Sequence, residues 1–414
     1  MDRELRRLFN AGYTPELYRR YVDRLEAYLG VKIPFRIAET PFFIPRALRD
    51  RLAKAATEIV EQISQPALIE QMKKAIPPSF DVPRCDGLAS CIQVDFAICK
   101  DEHGELTGKV VEQQGFPSLY ALMVVQTDAL SEELARIPGL DRTWSLYYGG
   151  LDRTSFISRF RNALLDGNAP EEVVLLDLEP RSQKTYCDFV ATKILTGVDA
   201  IAPQEIEREG LRLFRRVAGH RVPIKRIYNR IVFDELAGLS VSQSSASGRS
   251  GVMPFDHRED LDVSWFPHPN WYWIWSKYTL PYVDHPAVPK ATFLSELKRI
   301  PDDLTQYVLK PLFSYAGAGV KVDVTRADLD AVPEGEREGW ILQEKIHYEP
   351  GIVTPAGHGV KAEVRMMFLR GSGDARPQLV LNLVRLSRGK MLGVDQNKGL
   401  DWVGGSVGIW PQGQ

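Results

Sequence analysis

Lys310 and the residues after it carry the strongest chemical signal in the chain. An alternating apolar run over 307–309 ends in that lysine. Ser314, Tyr315, Ala316, Gly317 and Gly319 follow, and Val322 and Val324 read as a second strand. Glycines let backbone N–H groups approach a phosphate closely, and a lysine at a strand end adds a fixed positive charge. The pattern is neither a P-loop nor a dinucleotide fingerprint, because no helical period follows the glycines. A plain glycine-containing hairpin is the competing reading. Further on, Glu363 and Arg365 share one face of the alternating segment 362–368, and Arg385 closes the apolar run 381–385. A charge in such a run needs a partner, since an unpaired buried charge is costly. A site or a structural ion pair both meet that need. Upstream, Asp95 and Glu112 lie on two strand-like segments joined by the polar turn 101–105, so a hairpin brings the two carboxylates together. Ordinary strand-edge acids would look the same.

The elements that must hold these residues follow from periodicity. Residues 1–90 read as a helical N-terminal region: Leu5, Leu8 and Phe9, then Leu17, Tyr21 and Leu25, recur at three- and four-residue steps, and a second stretch from Leu48 to Ile63 stops before Pro66. Residues 91–135 hold the hairpin and a helix-like 119–130. Residues 140–270 alternate strand (172–177, 198–201, 224–228) with helix (182–195), a βαβ layer, and include a serine- and glycine-rich stretch at 240–251 that reads as a mobile loop. Residues 271–414 form a last α+β region, opened by an aromatic segment around Trp271, Trp273 and Trp275 that reads as core. The basic cluster Arg212, Arg215, Arg216, Arg221 and Lys225 reads as a solvated helix face.

Lysine, glycine loop, the strand 340–346, the charged strand and then an arginine occur in the order of the ATP-grasp family. That family usually places an aspartate and a Glu-x-Asn pair after the arginine strand. Here the chain ends at Gln414, and Asp95 with Glu112-Gln113-Gln114 stands near the other end. The chain therefore resembles the circularly permuted, glutathionylspermidine synthetase-like ATP-grasp proteins. It departs from them at Gln93, where an arginine is frequent, at Gln114, where asparagine is usual, and in the composition of its glycine loop; it has no cysteine-amidase domain.

The resemblance implies an α/β fold, a permuted ATP-grasp domain with a pre-ATP-grasp βαβ domain. Its cofactors are ATP and Mg2+. Lys310 and the loop Ser314 to Gly319, with Tyr315, Ala316 and Gly317, would hold phosphates. Lys277 matches the lysine that begins the nucleotide domain, and Gln343, Glu344, Lys345 and Ile346 would line the adenine pocket. Arg365 and Arg385 would stabilise charge on the transferring phosphoryl group. Asp95, Glu112 and the amide oxygen of Gln114 would bind magnesium, a cation that takes hard oxygen ligands. The implied reaction joins a small-molecule or peptide carboxylate to an amine through an acylphosphate, with no covalent nucleophile on the protein. Arg84, Asp86 and His268 are candidates for facing the acceptor. A phosphotransferase and a non-catalytic nucleotide-binding or scaffold protein remain as alternatives.

Composition narrows the partners. A formal net charge of -2 offers no field for nucleic acid or an anionic membrane. No apolar run reaches the ~20 residues that span a bilayer, and the first residues lack a secretory pattern. Cys85, Cys91, Cys99 and Cys187 form no CxxC pair and read as reduced thiols of a cytoplasmic protein. Nothing in the sequence decides between a monomer and a homo-oligomer.

Overall fold

The computed structural model describes residues 2–231, 253–313, 319–389 and 397–413. The 240–251 stretch and Ser314, Tyr315, Ala316 and Gly317 lie outside the described residues.

The core of the site is a six-stranded antiparallel sheet in which the two ends of the chain lie side by side. Its order runs Gly404–Ser406, Gln378–Ser387, Gly359–Leu369, Cys91–Lys100, Leu106–Gln114, and Pro350–Val353 pairs with Gly359–Leu369. Register then does the positioning: Asp95 stands opposite Glu112 on one side and opposite Arg365 on the other, and Glu363 stands opposite Arg385. Side chains two apart share a face, so Glu363 and Arg365 are delivered together. Ile92, Val94, Phe96 and Val110 are fully buried in the same strands. The helix Arg46–Ile63 packs across this sheet, its Leu48, Leu52, Ala56, Ile59 and Ile63 forming one buried stripe.

Two earlier helices, Arg3–Gly12 and Pro15–Leu29, are capped by Asp2 and by Thr14, with Pro15 at the first helical position. The second braces the almost wholly buried helix Tyr120–Leu134, where its Arg20 and Arg24 reach the buried Glu133 at 2.9 and 3.1 Å.

A second, parallel sheet runs Ser264–Phe266, Arg226–Asn229, Val173–Leu176, Asp199–Ile201, with the helix Tyr186–Thr196 connecting its last two strands. The third unit near the site is the antiparallel sheet Ala291–Phe293, Trp340–Glu344, Tyr307–Pro311.

Two expectations are corrected here. The basic cluster is not a helix: it occupies the hairpin Arg212–Val217 and His220–Ile224, where Ala218 and Gly219 form a two-residue turn with φ of 48° and 86°. Two consecutive left-handed residues select a hairpin over helix continuation. Arg221 lies over the Phe214 ring at 3.6 Å, and Arg215 is buried against Asp199 at 3.4 Å. The second strand expected through Val322 and Val324 is reduced to a single bridge, Leu309 opposite Lys321, since the chain turns into the helix Arg326–Asp330 capped by Thr325.

The tryptophans at 271, 273 and 275 are buried, as read. They also fasten the halves together. The Gly115 N–H donates to the Trp275 carbonyl at 2.8 Å, and a Cβ on Gly115 would sit 2.2 Å from the Trp271 carbonyl oxygen. Only glycine permits that approach. It sets the end of the Glu112 strand against the segment that leads into Lys277.

Candidate functional site

A cavity of about 2130 Å³ opens where the three sheets meet. Of the residues singled out from the sequence, Glu112, Gln114, Lys277, Lys310, Gln343, Glu344, Lys345, Ile346, Arg365 and Arg385 line it. Asp95 lies behind the wall, 0% exposed, and Gly319 adjoins it in sequence through the lining residue Val320.

At the floor is a charge cluster built on Asp95. Arg365 grips its carboxylate through Nε and Nη2 at 2.6 and 2.7 Å, a bidentate fork. Arg385 donates to the same carboxylate at 2.6 Å and also to Glu363. The Ser118 hydroxyl accepts from Arg365 Nη1 at 3.0 Å, and the Tyr348 hydroxyl donates to Glu363 at 3.1 Å. Burial opposes ionisation of Asp95, but Arg365 and Arg385 outweigh it and hold its carboxyl below the ordinary value. For Glu363, burial and the nearby Asp95 and Glu112 charges prevail over Arg385 and raise it. Both arginines lose to burial but gain more from the acids, so each is held more firmly charged. The opposite directions for Asp95 and Glu363 express one shared set of charges: Asp95 has two arginines and Glu363 one.

Beside this cluster stand two buried lysines from distant parts of the chain. Lys310 Nζ donates to the Val111 carbonyl at 3.0 Å, and Lys277 Nζ lies 3.9 Å from Glu112. Burial, with Lys277 adding to it against Glu112, pushes the Lys310 ammonium down to about 8. Two ammonium groups, each 7% exposed, face the carboxylate of Glu112, and burying two cations beside it is costly. Across the cavity, Gln343 is fully buried and neither atom of its side-chain amide has a partner among the described residues. Glu344 instead accepts from the Lys290 N–H at 3.2 Å, and Lys345 reaches Asp323 at 3.1 Å.

Of the three residues read as magnesium ligands, Glu112 and Gln114 line the cavity and Asp95 does not. Glu112 is partly exposed, one of its oxygens accepts from the Gln114 amide at 2.7 Å, and the neighbouring Gln113 amide is buried without a partner among the described residues. Asp95 is differently placed, because its two oxygens already accept three arginine hydrogen bonds. Among the described residues, no group of three or more His, Cys, Asp or Glu is arranged to hold a metal ion.

Of the acceptor candidates, Arg84 pairs with Asp260, Asp86 with Arg370 and the Trp271 indole, and His268 contacts the Pro83 carbonyl at 2.9 Å. These surround a separate, smaller cavity of about 340 Å³. Sequence reading missed Ser118, Tyr348 and Arg230 on the large cavity. Tyr348 carries no local signal, and Ser118 only closes the run Gly115-Phe116-Pro117-Ser118 after the Glu112 strand; their contacts appear only once the remote strands are paired.

No protein-family model matches the sequence, and no curated protein does. Among solved structures, the chain is similar to a glutathione synthetase-like effector of Globodera pallida determined in its apo form. The likeness has a TM-score of 0.54 over 91% of this chain and 96% of that one, at 10% identity. At that identity it is a likeness of fold: this is a mixed α/β protein with a glutathione synthetase-like arrangement. Among the described residues, no helix is long and apolar enough to cross a membrane.

Proposed function

We propose that the protein is an ATP- and magnesium-dependent carboxylate–amine ligase of the circularly permuted ATP-grasp kind. One observation carries the reading. The hairpin bearing Asp95 and Glu112 and the strands bearing Arg365 and Arg385, far apart in sequence, pair in one sheet beside Lys277 and Lys310, at the wall of a single cavity.

In this reading Lys277 and Lys310 bind the triphosphate, whose charge relieves the cost of burying them. The unpartnered Gln343 amide offers a donor and an acceptor to the edge of the base. Glu112 and Gln114 hold magnesium, which when bound neutralises phosphate charge. Arg385, which retains partial exposure, faces the phosphoryl group as charge shifts, while Asp95 keeps both arginines aligned. A substrate carboxylate oxygen attacks the γ-phosphorus and ADP leaves. An amine nitrogen then attacks the acyl carbon, phosphate leaves, and the nitrogen gives up a proton. Positioning and charge neutralisation supply the rate enhancement.

The occupied oxygens of Asp95 favour a second reading, a nucleotide-binding protein without ligase activity. Product analysis decides. Incubated with magnesium, ATP and pooled amino acids and amines, a ligase releases ADP and phosphate with an equal amount of new amide. Phosphate retained on an acceptor identifies a phosphotransferase, and unaltered ATP under every condition refutes the ligase.

A further inference from the structure

Arg230 follows directly on the Arg226–Asn229 strand, at the carboxyl edge of the parallel sheet, where its backbone N–H donates to the Leu176 carbonyl at 2.9 Å. Open parallel sheets form their ligand crevices at that edge. The residue is 4% exposed and lines the large cavity. Among the described residues, its buried Nε and Nη1 have no hydrogen-bond partner and no carboxylate forms an ion pair with it.

This sets it apart from the other buried arginines around it. Arg365 and Arg385 share Asp95, Arg215 has Asp199 and Arg226 has Asp166. The acid whose field reaches Arg230, Asp188, spends its two oxygens on the Leu119 and Leu122 N–H groups at 2.9 Å each. What holds the guanidinium instead is aromatic: its carbon lies 4.6 Å from the centre of the Phe116 ring and 5.7 Å from that of Phe189. Rings steady the guanidinium plane and leave its N–H edges unused. A buried charge with idle donors, on a residue that lines a cavity, is suited to receive an anion.

We propose that Arg230 anchors a non-reacting carboxylate of the substrate, such as the free carboxylate of an amino acid or short peptide. The assignment rests on the ligase reading for its place in the reaction. A nucleotide phosphate would satisfy the same donors, but Lys310 and Arg385 stand on the other two sheets, with Lys277 beside Glu112.

The test is a ligand-observed NMR titration of the full chain with alanylglycine, alanylglycine amide, L-glutamate and succinate. A calorimetric titration with a magnesium-loaded ATP analogue runs alongside, on wild type, Arg230→Met and Arg230→Lys. Wild type is expected to bind at least one carboxylate and to reject the amide. Arg230→Met loses about 10- to 100-fold in carboxylate affinity, the worth of a charged hydrogen bond, with Arg230→Lys in between. Affinity for the ATP analogue stays unchanged. The Met variant also unfolds at or above the wild-type midpoint, because an unpaired buried charge has gone. The proposal is overturned by wild type binding none of the carboxylates, by equal carboxylate affinity in Arg230→Met, or by a lowered midpoint, which makes the residue structural. Loss of analogue affinity in Arg230→Met puts a phosphate there and also overturns it. Arg230-dependent carboxylate binding without any analogue binding supports the anchor while removing the ligase reading.

Discussion

Replacing Lys310 with methionine should stabilise the nucleotide-free protein, against the usual expectation for a site residue. The ammonium is 7% exposed and its pKa is lowered from 10.5 to about 8, burial being the main cause. Keeping the group charged in the fold therefore carries a penalty of roughly 3 kcal/mol. Against this the variant loses a charged hydrogen bond to the Val111 carbonyl, worth about 1.5–3 kcal/mol. A net gain of up to about 1.5 kcal/mol remains at pH 7.

The sign of its pH dependence is fixed. Between about 8 and 10.5 the unfolded chain binds a proton that the folded chain does not, so wild-type stability rises with pH across that window. Below about 8 both states are protonated and the penalty is complete. The stability gap between variant and wild type is therefore largest at pH 7 and closes towards pH 10.5. Urea unfolding followed by tryptophan fluorescence, read as that difference, measures it. A variant less stable than wild type at pH 7, or a gap that ignores pH, would refute the reasoning.

Asp95→Asn should cost about 3–5 kcal/mol, the magnitude of breaking a buried ion pair, because Arg365 loses the carboxylate it grips and Arg385 loses one of its two; an unfolding midpoint near wild type would mean that Asp95 is not the hub of the cluster. Gln343→Leu should leave stability unchanged or raise it by about 1–2 kcal/mol, since an unsatisfied buried amide is removed. The same variant should lose preference for ATP over GTP analogues in competition binding, and a destabilised variant with intact preference would make Gln343 a structural amide.

Much of this architecture was legible because strand alternation survives in the sequence. The hairpin could be read with Asp95 near Glu112, and the structure pairs them directly. The parallel strand at Val173–Leu176 and the arginine-bearing strands are likewise visible as apolar runs. What was not legible depends on contacts between remote segments. No local pattern shows that Asp95 accepts from two arginines some 270 and 290 residues away, or that Gly115 meets the Trp271 backbone. Arg230 escaped notice because it looks like one more basic residue after a strand; its idle donors appear only when its surroundings are packed. The basic hairpin was misread because arginines suit a helix face as readily as a strand edge, and the Ala218-Gly219 turn was passed over.

The central claim is that both ends of the chain build one nucleotide site. It is tested most directly by calorimetric titration with a non-hydrolysable ATP analogue, with and without magnesium, on wild type, Lys310→Met and Glu112→Gln. The account predicts magnesium-dependent binding in wild type and its loss in both variants. Binding that ignores magnesium and survives Glu112→Gln would contradict it, separating the N-terminal hairpin from the nucleotide site.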